Sequence, residues 1–519
     1  MKLNYKRTIL VGFAFFLISS FWQAYDATIP VILTNKFGMS QAWSGVIMAL
    51  DNILAVFMLP IFGALSDKCL GNRFGKRTPF ITIGTVIAAI ALIGLSFVDS
   101  AQLKNIQDVA NIDSPSSLEA IYDSQAGNTL MTPDGETYVI EDLFTKEEFM
   151  TITSQIPDTE NPDKMVTNPD YTNYVAPARQ AYAAVRTREN PTPLILFVVL
   201  LLVVLVAMAT FRSPAVALMP DVTVKPLRSK ANAVINLMGT AGGILVLLLG
   251  MVFATSAVRN QLMNYTVYYC VIGGIMLAAL TVFLLTVREK TWSAQMQKDS
   301  IALGLAEDEA SAVEKRKLTS AEIRSLIFIL ASIALWYLGY NAVTSKYAVY
   351  AGNILNMDYN TTLLVAQGAA IVAYLPAGMV ASKFGRKKTI LAGVVMLATA
   401  FFTASFMRSG SSVLLMNVLF ALAGIGWATI NVNSFPMVVE MCSGGDIGKY
   451  TGFYYTASMS AQIVTPMLSG VLMDKMGMTV LFPYAAVFVA LAFVTMMLVR
   501  HGDAKIVAKK GLEALDIDD

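Results

Sequence analysis

Two acidic residues, Asp26 and Asp51, stand within long apolar runs, where an ionised side chain is costly. At 1.5 Å per residue, Asp26 lies ~28 Å past Arg7 along a first helix, and Asp51 lies ~12 Å inside a second helix. The two carboxyls are therefore at similar depth on adjacent helices, where they could share or exchange a proton. This placement predicts a proton-coupling pair. The alternatives are an outer interface residue at Asp26 and a hydrogen-bonded packing carboxyl at Asp51.

Polar and aromatic residues recur at helical spacing on six of the apolar runs, so that each set shares one helix face. If they faced lipid, their amide groups would lack hydrogen bonds at a cost of several kcal/mol each. Amides with carboxylates suit hydroxyl-rich ligands, and flat aromatic faces suit sugar rings. Helix–helix hydrogen bonding is the alternative for any one stripe, but six stripes together predict a central cavity. The predicted substrate-binding residues are Gln23, Asn232, Asn236, Trp336, Tyr337, Tyr340, Asn341, Gln367, Tyr374, Trp427, Asn431, Tyr455 and Gln462.

The composition excludes several other kinds of chemistry. Charged residues make up 14% of the 519 residues, against roughly 25% in soluble proteins, which excludes an ordinary soluble enzyme. The net charge of +2 implies no nucleic-acid surface. His501 is the only histidine, so zinc ligation and Ser–His or Cys–His catalysis have no histidine to use. The three cysteines are far apart and no GxxxxGK[ST] motif is present, so we expect no metal, cofactor, ATP use or enzymatic activity.

The candidate residues must be positioned by membrane-spanning helices, each of which needs ~20 mostly apolar residues. The first run follows Lys6 and Arg7 and reaches Pro30 without a cleavage site, which predicts a retained helix. Lysine and arginine concentrate in alternate loops, which predicts that both termini are cytoplasmic. About twelve spans are predicted, at 8–33, 43–66, 80–98, 192–218, 230–255, 265–287, 322–344, 359–381, 389–407, 411–435, 450–473 and 478–500.

One long acidic segment, 99–190, interrupts the series of short outer loops. Thr132-Pro-Asp-Gly135 is a turn signal between two β-prone runs, and Thr145 with Glu148 forms a capping box. These signals predict a small, partly folded outer cap, with a poorly ordered acidic insertion as the alternative. The predicted divisions are an N-terminal half (1–98 and 191–287), the insertion (99–190), a cytoplasmic central loop (288–321), a C-terminal half (322–500) and a cytoplasmic tail (501–519).

A loop pattern recurs after the second and eighth spans. The first copy runs from Gly63 through Asp67 to Gly75-Lys-Arg77, and the second runs from Gly378 to Gly385-Arg-Lys-Lys388. This pattern resembles the loop signature of the major facilitator superfamily, which implies an all-α membrane protein with twelve helices in two six-helix halves. Positive-inside anchoring alone would explain the basic residues but not the repeated glycine spacing. The second copy departs from the signature, because Ser382 stands where an acidic residue is usual.

The resemblance narrows within that superfamily. Ser66-Asp-Lys-Cys69 followed by 73–81 is similar to the second-loop signature of sucrose-type proton symporters and of glycoside–pentoside–hexuronide:cation symporters. The segment 212–221 followed by 231–233 resembles the sucrose-type family, in which an arginine and an aspartate near this place matter for transport. Sodium-coupled sugar symporters carry acidic residues just before the proline of the second span. Phe57-Met-Leu59 precedes Pro60 here, which favours protons over sodium.

Residues at the inner ends of the helices are predicted to gate the cavity, through ion pairs that form and break as the halves rock. The alternatives are topology anchoring by the basic residues after the second span and a surface ion pair between Arg212 and Asp221. The predicted gating residues are Asp67, Arg73, Gly75, Lys76, Arg77, Arg212, Asp221, Gly385, Arg386, Lys387 and Glu440.

Together these observations predict a secondary active transporter of the cell membrane, with a small-molecule sugar or glycoside and the proton as its partners. It is expected to act as a monomer and to bind no nucleic acid. One alternative is an efflux or amphiphile carrier of the same fold, which a charge-poor aliphatic cavity would favour. The other is a receptor that does not transport and that uses the 99–190 insertion to bind a partner.

Overall fold

The computed structural model describes residues 3–69, 71, 74–158, 162–163, 165–224, 227–302, 318–439, 441 and 447–502. Two predicted gating residues, Arg73 and Glu440, lie outside the described residues. In chain order the helices are α1 Tyr5–Asn35, α2 Gln41–Lys68, α3 Thr78–Asn105, α4 Gln107–Ala110, α5 Pro115–Gln125, α6 Ile140–Leu143, α7 Lys146–Phe149, α8 Ala176–Glu189, α9 Thr192–Val222, α10 Arg228–Val252, α11 Thr266–Thr286, α12 Glu289–Ala302, α13 Ser320–Tyr350, α14 Tyr359–Phe384, α15 Arg386–Ala404, α16 Val413–Val439, α17 Ile447–Met476 and α18 Leu481–Met497.

Twelve of these helices are long, which confirms the predicted architecture. Within the part of the chain that the structure describes, ten helical stretches are long and apolar enough to cross a membrane by length and composition. The helices α14 and α17, of 26 and 30 residues, complete the twelve. The predicted capping box at the start of α13 is also confirmed, because Thr319 and Glu322 exchange hydrogen bonds.

Three separate hydrophobic cores divide the molecule. One lies among α1, α2, α3, α9, α10 and α11, with Phe21 and Phe211 at its centre, and defines the N-terminal half. A second lies among α13–α18 and contains Tyr347 and Phe482, which defines the C-terminal half. The third lies mainly in residues 106–190, with Phe149 buried in it, and also includes Val258 and Leu262 from the segment between α10 and α11. Residues 106–190, here called the cap, thus share an apolar core with that segment.

The cap contains two short hairpins. Strand β1 (Thr129–Met131) pairs with β2 (Thr137–Val139), which confirms the predicted turn, and β3 (Gln155–Pro157) pairs with β4 (Met165–Thr167). The sequence did not predict the second hairpin. The predicted capping box is confirmed at α7, where the Thr145 N–H donates to Glu148. That bond lowers the pKa of the Glu148 carboxyl.

The first hairpin of the cap contacts the opposite half of the molecule. The Met478 N–H donates to the Pro133 carbonyl oxygen at 2.7 Å. Gly135 has a φ of +98°, and a β-carbon there would stand 2.6 Å from the Met476 carbonyl oxygen. The turn therefore needs glycine for both its conformation and its close approach. Although the cap is inserted between two helices of the N-terminal half, it is attached to the C-terminal half as well.

The bundle has two distinct ends. The cap end carries the cap and the start of α2, and the basic end carries Lys68, Arg77 and Lys387. At the cap end the two halves approach closely: a β-carbon at Gly45 would stand 2.0 Å from the Pro466 carbonyl oxygen, and one at Gly470 would stand 2.3 Å from the Gln41 carbonyl oxygen. Glycine thus permits backbone contact between α2 and α17.

The halves diverge toward the basic end. From Gln41 to Ala55, α2 exposes only Trp43. Beyond Ala55 its exposed residues cover about half of its circumference, and Phe57 and Ile61 are 66% and 54% exposed. A helix that contacted only lipid on one side would keep the narrow exposed stripe seen near Trp43. The cavity between the halves is therefore closed at the cap end and open at the basic end.

Candidate functional site

The two predicted carboxylates lie in the interior of the bundle. Asp26 and Asp51 are both half-buried and lie within electrostatic reach of each other. Asp51 accepts a 2.7 Å hydrogen bond from the side-chain amide of Asn52. Asp26 also lies within electrostatic reach of Tyr340 in the C-terminal half. The structure thus brings both carboxylates to the side of the N-terminal half that faces the other half.

Arg212 lies beside this pair and away from the other predicted gating residues. It stands ten residues before the end of α9, which is ~15 Å from the basic end. Its guanidinium lies 5.6 Å from the centre of the Trp22 ring and within electrostatic reach of Asp51 and of Tyr455. Its place in the middle of a 31-residue helix separates it from Asp221, with which it was grouped in sequence. No pattern in the sequence pointed to Trp22.

An aromatic cluster forms the facing wall in the C-terminal half. The rings of Tyr340 and Trp427 are parallel within 2° and their centroids lie 3.6 Å apart. Tyr337 meets the same indole edge-on at 5.1 Å. Tyr374 and Tyr455 retain 38% and 49% exposure. The cluster therefore presents flat rings and phenol hydroxyls next to the carboxylates.

Trp336 belongs to a different environment. Its side chain is fully buried and packs in the core of the C-terminal half. It lies on the same helix as Tyr337, one position away, and therefore points about 100° around the helix from it. The polar and aromatic pattern of α13 did not distinguish these two directions. The structure therefore places Trp336 away from the cavity.

Amide side chains complete the lining near the middle of the bundle. The side-chain amide of Gln367 donates to the side-chain oxygen (Oε1) of Gln23 at 2.5 Å, and this bond joins the two halves. A β-carbon at Gly243 would stand 3.2 Å from Gln367 Oε1, so this glycine leaves space for the amide pair. Asn431 is hydrogen-bonded to Tyr374. Amides from both halves thus lie beside the aromatic cluster.

The remaining predicted amides bond within their own helices. The side chain of Asn236 donates to Asn232 Oδ1 at 3.2 Å, and both residues are exposed where α10 diverges from the C-terminal half. Asn341 donates to the Tyr337 carbonyl oxygen, and Gln462 donates to the Ser458 carbonyl oxygen. These bonds lie within single helices and so differ from the helix–helix hydrogen bonds of the alternative, and they leave the amide oxygens of Asn341 and Gln462 as acceptors.

A second polar cluster lies at the basic end of the N-terminal half. Arg77 donates to Asp67, to Asp221 at 2.8 Å and to Ser66 at 2.5 Å. Lys76 pairs with the same Asp221 at 3.4 Å. All these partners belong to the N-terminal half. The cluster therefore fixes α2, α3 and α9 to one another at the entrance of the cavity.

Glu289, which the sequence did not point to, organises the same cluster. Its carboxylate accepts hydrogen bonds from the backbone N–H groups of Lys76, Arg77 and Thr78, all at 2.8 Å, and from the Thr78 hydroxyl at 2.7 Å. It thereby satisfies the free N–H groups at the start of α3. Gly75, with a φ of +128°, leaves the space that the carboxylate fills. An acidic residue at the start of α12 carries no signal of such a distant partner.

The corresponding loop of the C-terminal half has a different arrangement. Gly385 has a φ of +90° and separates α14 from α15. Arg386 is buried, and Lys387 donates to the carbonyl oxygens of Met497 and Val499 at 2.9 and 2.6 Å. A lysine in this position stabilises the carbonyl end of α18. Both of these Lys387 hydrogen bonds therefore lie within the C-terminal half.

Comparisons with known proteins agree with this architecture. A family model described as Major Facilitator Superfamily matches residues 181–374 and 361–515, and one described as MFS/sugar transport protein matches residues 10–102. The inward open conformation of the xylose transporter XylE from E. coli superposes with a TM-score of 0.57 at 16% identity and covers 99% of each chain. At that identity the superposition demonstrates the fold alone.

Curated relatives match shorter segments. The MFS-type transporter ppzB of Metarhizium rileyi is 32% identical over 124 residues, which are 24% of this chain and 25% of the relative. The sucrose transport protein SUC3 of Arabidopsis thaliana is 37% identical over 68 residues, which are 13% of this chain and 11% of the relative. The matched segments thus cover about a quarter or less of the length of each relative.

Proposed function

The chain belongs to the Major Facilitator Superfamily, and on that premise we propose that it couples proton entry to the uptake of a sugar or glycoside. The observation that carries this proposal is the convergence of two carboxylates, an amide pair and an aromatic cluster from both halves on one cavity. Alternating access exposes such a cavity first to one side of the membrane and then to the other. The sugar-transport family model and the sucrose-transport relative support the substrate class.

The sugar is held between the two halves. Tyr340 and Trp427 offer ring faces and edges to the apolar side of a pyranose or furanose, and Gln23 and Gln367 exchange hydrogen bonds with its hydroxyls. Each amide carries both a donor and an acceptor, which matches the dual character of a hydroxyl group. Because the Gln23–Gln367 bond crosses between the halves, a bound hydroxyl that replaces it would also connect them.

The proton is carried by Asp51 with Asp26. When Asp51 is ionised, the nearby Arg212 compensates its charge, and when Asp51 binds a proton this attraction is lost. Arg212 also lies within electrostatic reach of Tyr455 on the other half, so its position is sensitive to both halves. Protonation therefore changes the electrostatic balance at the surface along which the halves move.

The basic end faces the cytoplasm in this proposal. Lysine and arginine outside the spans concentrate at that end, as expected for the cytoplasmic side of a membrane protein. Both termini then lie in the cytoplasm, the cap lies outside the cell membrane, and the structure corresponds to an inward-open state. The protein acts as a monomer, since each chain contains a whole cavity.

Uptake of radiolabelled disaccharides into right-side-out vesicles tests the proposal. We expect accumulation when the outside is acidic, and loss of accumulation when a protonophore collapses the gradient. Uptake that responds to sodium but not to pH would contradict proton coupling. Gradient-dependent export of an amphiphile with no glycoside uptake would instead support an efflux carrier. Binding of a partner to the cap without any solute movement would support a receptor.

A further inference from the structure

A charged contact closes the cap end of the cavity. It is distinct from the proposed substrate and proton sites. The carboxylate of Asp474 on α17 accepts hydrogen bonds from the backbone N–H groups of Gln41 and Ala42, at 2.7 and 2.8 Å. These N–H groups belong to the first turn of α2, where they have no partner within the helix. A side chain of the C-terminal half therefore caps a helix of the N-terminal half.

A buried lysine holds the same peptide from the other side. Lys346 on α13 is fully buried, and its ammonium donates to the Gln41 carbonyl oxygen at 2.6 Å and to the Gln41 side-chain oxygen at 3.4 Å. Its charge lies within electrostatic reach of Asp474. The N–H of Gln41 is thus bound by a negative charge, and its C=O by a positive charge.

Both charges belong to the C-terminal half, whereas Gln41 belongs to the N-terminal half. When the cap end opens, α2 moves away and both charges lose their hydrogen-bond partners together. Lys346 is fully buried and Asp474 is half-buried, and a charge that is shielded from water without a partner is strongly unfavourable. The ammonium and the carboxylate, which remain on the same half and close to each other, then provide each other's replacement partner.

We propose that Lys346 and Asp474 exchange partners during transport: they bind the start of α2 when the cap end is closed and each other when it is open. The exchange keeps both charges satisfied in both states, and this limits the free-energy difference between the states. The inference rests on the alternating-access part of the proposed function, but not on the identity of the sugar or the ion.

A double-mutant cycle on cap-end opening tests this exchange. Either single substitution, Lys346→Met or Asp474→Ala, removes an interaction from the closed state and also removes the ion pair from the open state. The double substitution removes both closed-state interactions but only one open-state interaction. If partners are exchanged, the double variant opens more often than the product of the two single effects predicts.

Opening is measured by labelling a cysteine at Ser44. Residues 41, 44, 45 and 48 share the face of α2 that packs on α17, and Ser44 is fully buried in the closed state. The native cysteines at 69, 270 and 442 are replaced by serine, and intact cells are treated with a membrane-impermeant maleimide. We expect the labelling rate of the double variant to exceed the product of the single effects by about tenfold, the size typical of one charge-assisted bond.

Two further variants keep the test decisive. The pair Lys346→Gln with Asp474→Asn removes the charges while keeping side-chain volume, in case the first pair fails to fold. Thr319→Ala removes a helix cap that bonds only within the C-terminal half, and labelling should stay at the parent rate. Labelling of the double variants at or below the product of the single effects would overturn the exchange. Since labelling needs neither sugar nor a gradient, this outcome is separable from a failure of sugar uptake.

Discussion

Gln367 of α14 donates a 2.5 Å hydrogen bond to Gln23 of α1, which joins the two halves of the bundle beside the carboxylates of the N-terminal half. The pair stands between the aromatic cluster and α10, where Gly243 leaves room for it. A substrate hydroxyl that binds here competes with a contact that holds the halves together. Substrate binding and the relative position of the halves are therefore linked at this point.

Gln367→Ala should weaken sugar binding more than it slows transport. It removes one donor and one acceptor from the cavity and leaves the Gln23 amide without its partner, which corresponds to about 1.5 kcal/mol or a roughly tenfold higher KM. Initial uptake rates over a range of sugar concentrations measure this change. Gln180→Ala, which removes a cap glutamine bonded to Asn35, serves as the control. An unchanged KM in Gln367→Ala would remove this residue from the binding site.

Asp51→Asn should abolish accumulation against a gradient while sugar exchange continues. The amide keeps the size of the side chain but cannot bind and release a proton, so the sugar no longer moves with one. Counterflow of labelled sugar and pH-driven uptake, measured in the same vesicles, separate the two activities. Asp142→Asn, at an exposed position of the cap, is the matched control. Accumulation by Asp51→Asn at the wild-type level would exclude Asp51 from coupling.

Glu289→Ala should destabilise the N-terminal half. It removes four hydrogen bonds to one buried carboxylate and exposes the start of α3, at a cost of about 2–4 kcal/mol. Gly75→Ala should act in the same direction, because the new β-carbon would stand 2.3 Å from the Glu289 carboxyl carbon. Thermal unfolding in detergent measures both effects as a lower Tm. Glu147→Ala in the cap should leave the Tm unchanged, and a wild-type Tm in Glu289→Ala would contradict this role.

Asp358, which caps α14 at the cap end, should remain ionised over the pH range of transport. Burial raises its pKa, but hydrogen bonds from Ser256, Thr361 and Asn360 outweigh burial and lower it overall. A lowered folded-state pKa gives stability that is complete above the unfolded value of ~3.9 and is lost only as the pH falls through the folded value. The Tm difference between wild type and Asp358→Asn should therefore stay constant from about pH 7 to about pH 5.

The matched control for this titration is Ser256→Ala. It removes the 2.6 Å hydrogen bond to Asp358 from the other half without removing the carboxylate. Its Tm difference from wild type should likewise be independent of pH over that interval. A Tm difference that shrinks between pH 7 and pH 5 in either variant would show that Asp358 takes up a proton there.

The sequence predicted those features that depend on local pattern. Runs of apolar residues predicted the twelve long helices, Thr132–Gly135 predicted the first hairpin, and two Thr–Glu pairs predicted capping boxes. Each of these signals lies within a few residues of the structure that it specifies. The similar depth of Asp26 and Asp51 in the membrane could also be predicted, because the helix rise per residue converts sequence spacing into distance along the helix.

Features that depend on the direction in which a side chain points, or on its distant partner, could not be predicted from the sequence. Trp336 and Tyr337 are adjacent in sequence, yet one is in the core and the other beside the cavity. Glu289 binds residues more than 200 positions earlier in the chain. Asp474 and Lys346 meet Gln41 only because two halves that are distant in sequence fold together. No periodicity within one helix reports such contacts.

The hairpin turn of the cap contacts the loop between α17 and α18 through Pro133, Gly135 and Gly477, so an accessory segment of one half is fastened to the other. An antibody or nanobody that binds this junction would restrict the relative motion of the two halves without entering the cavity. A fluorophore attached to the same surface would report changes in this contact during each transport cycle.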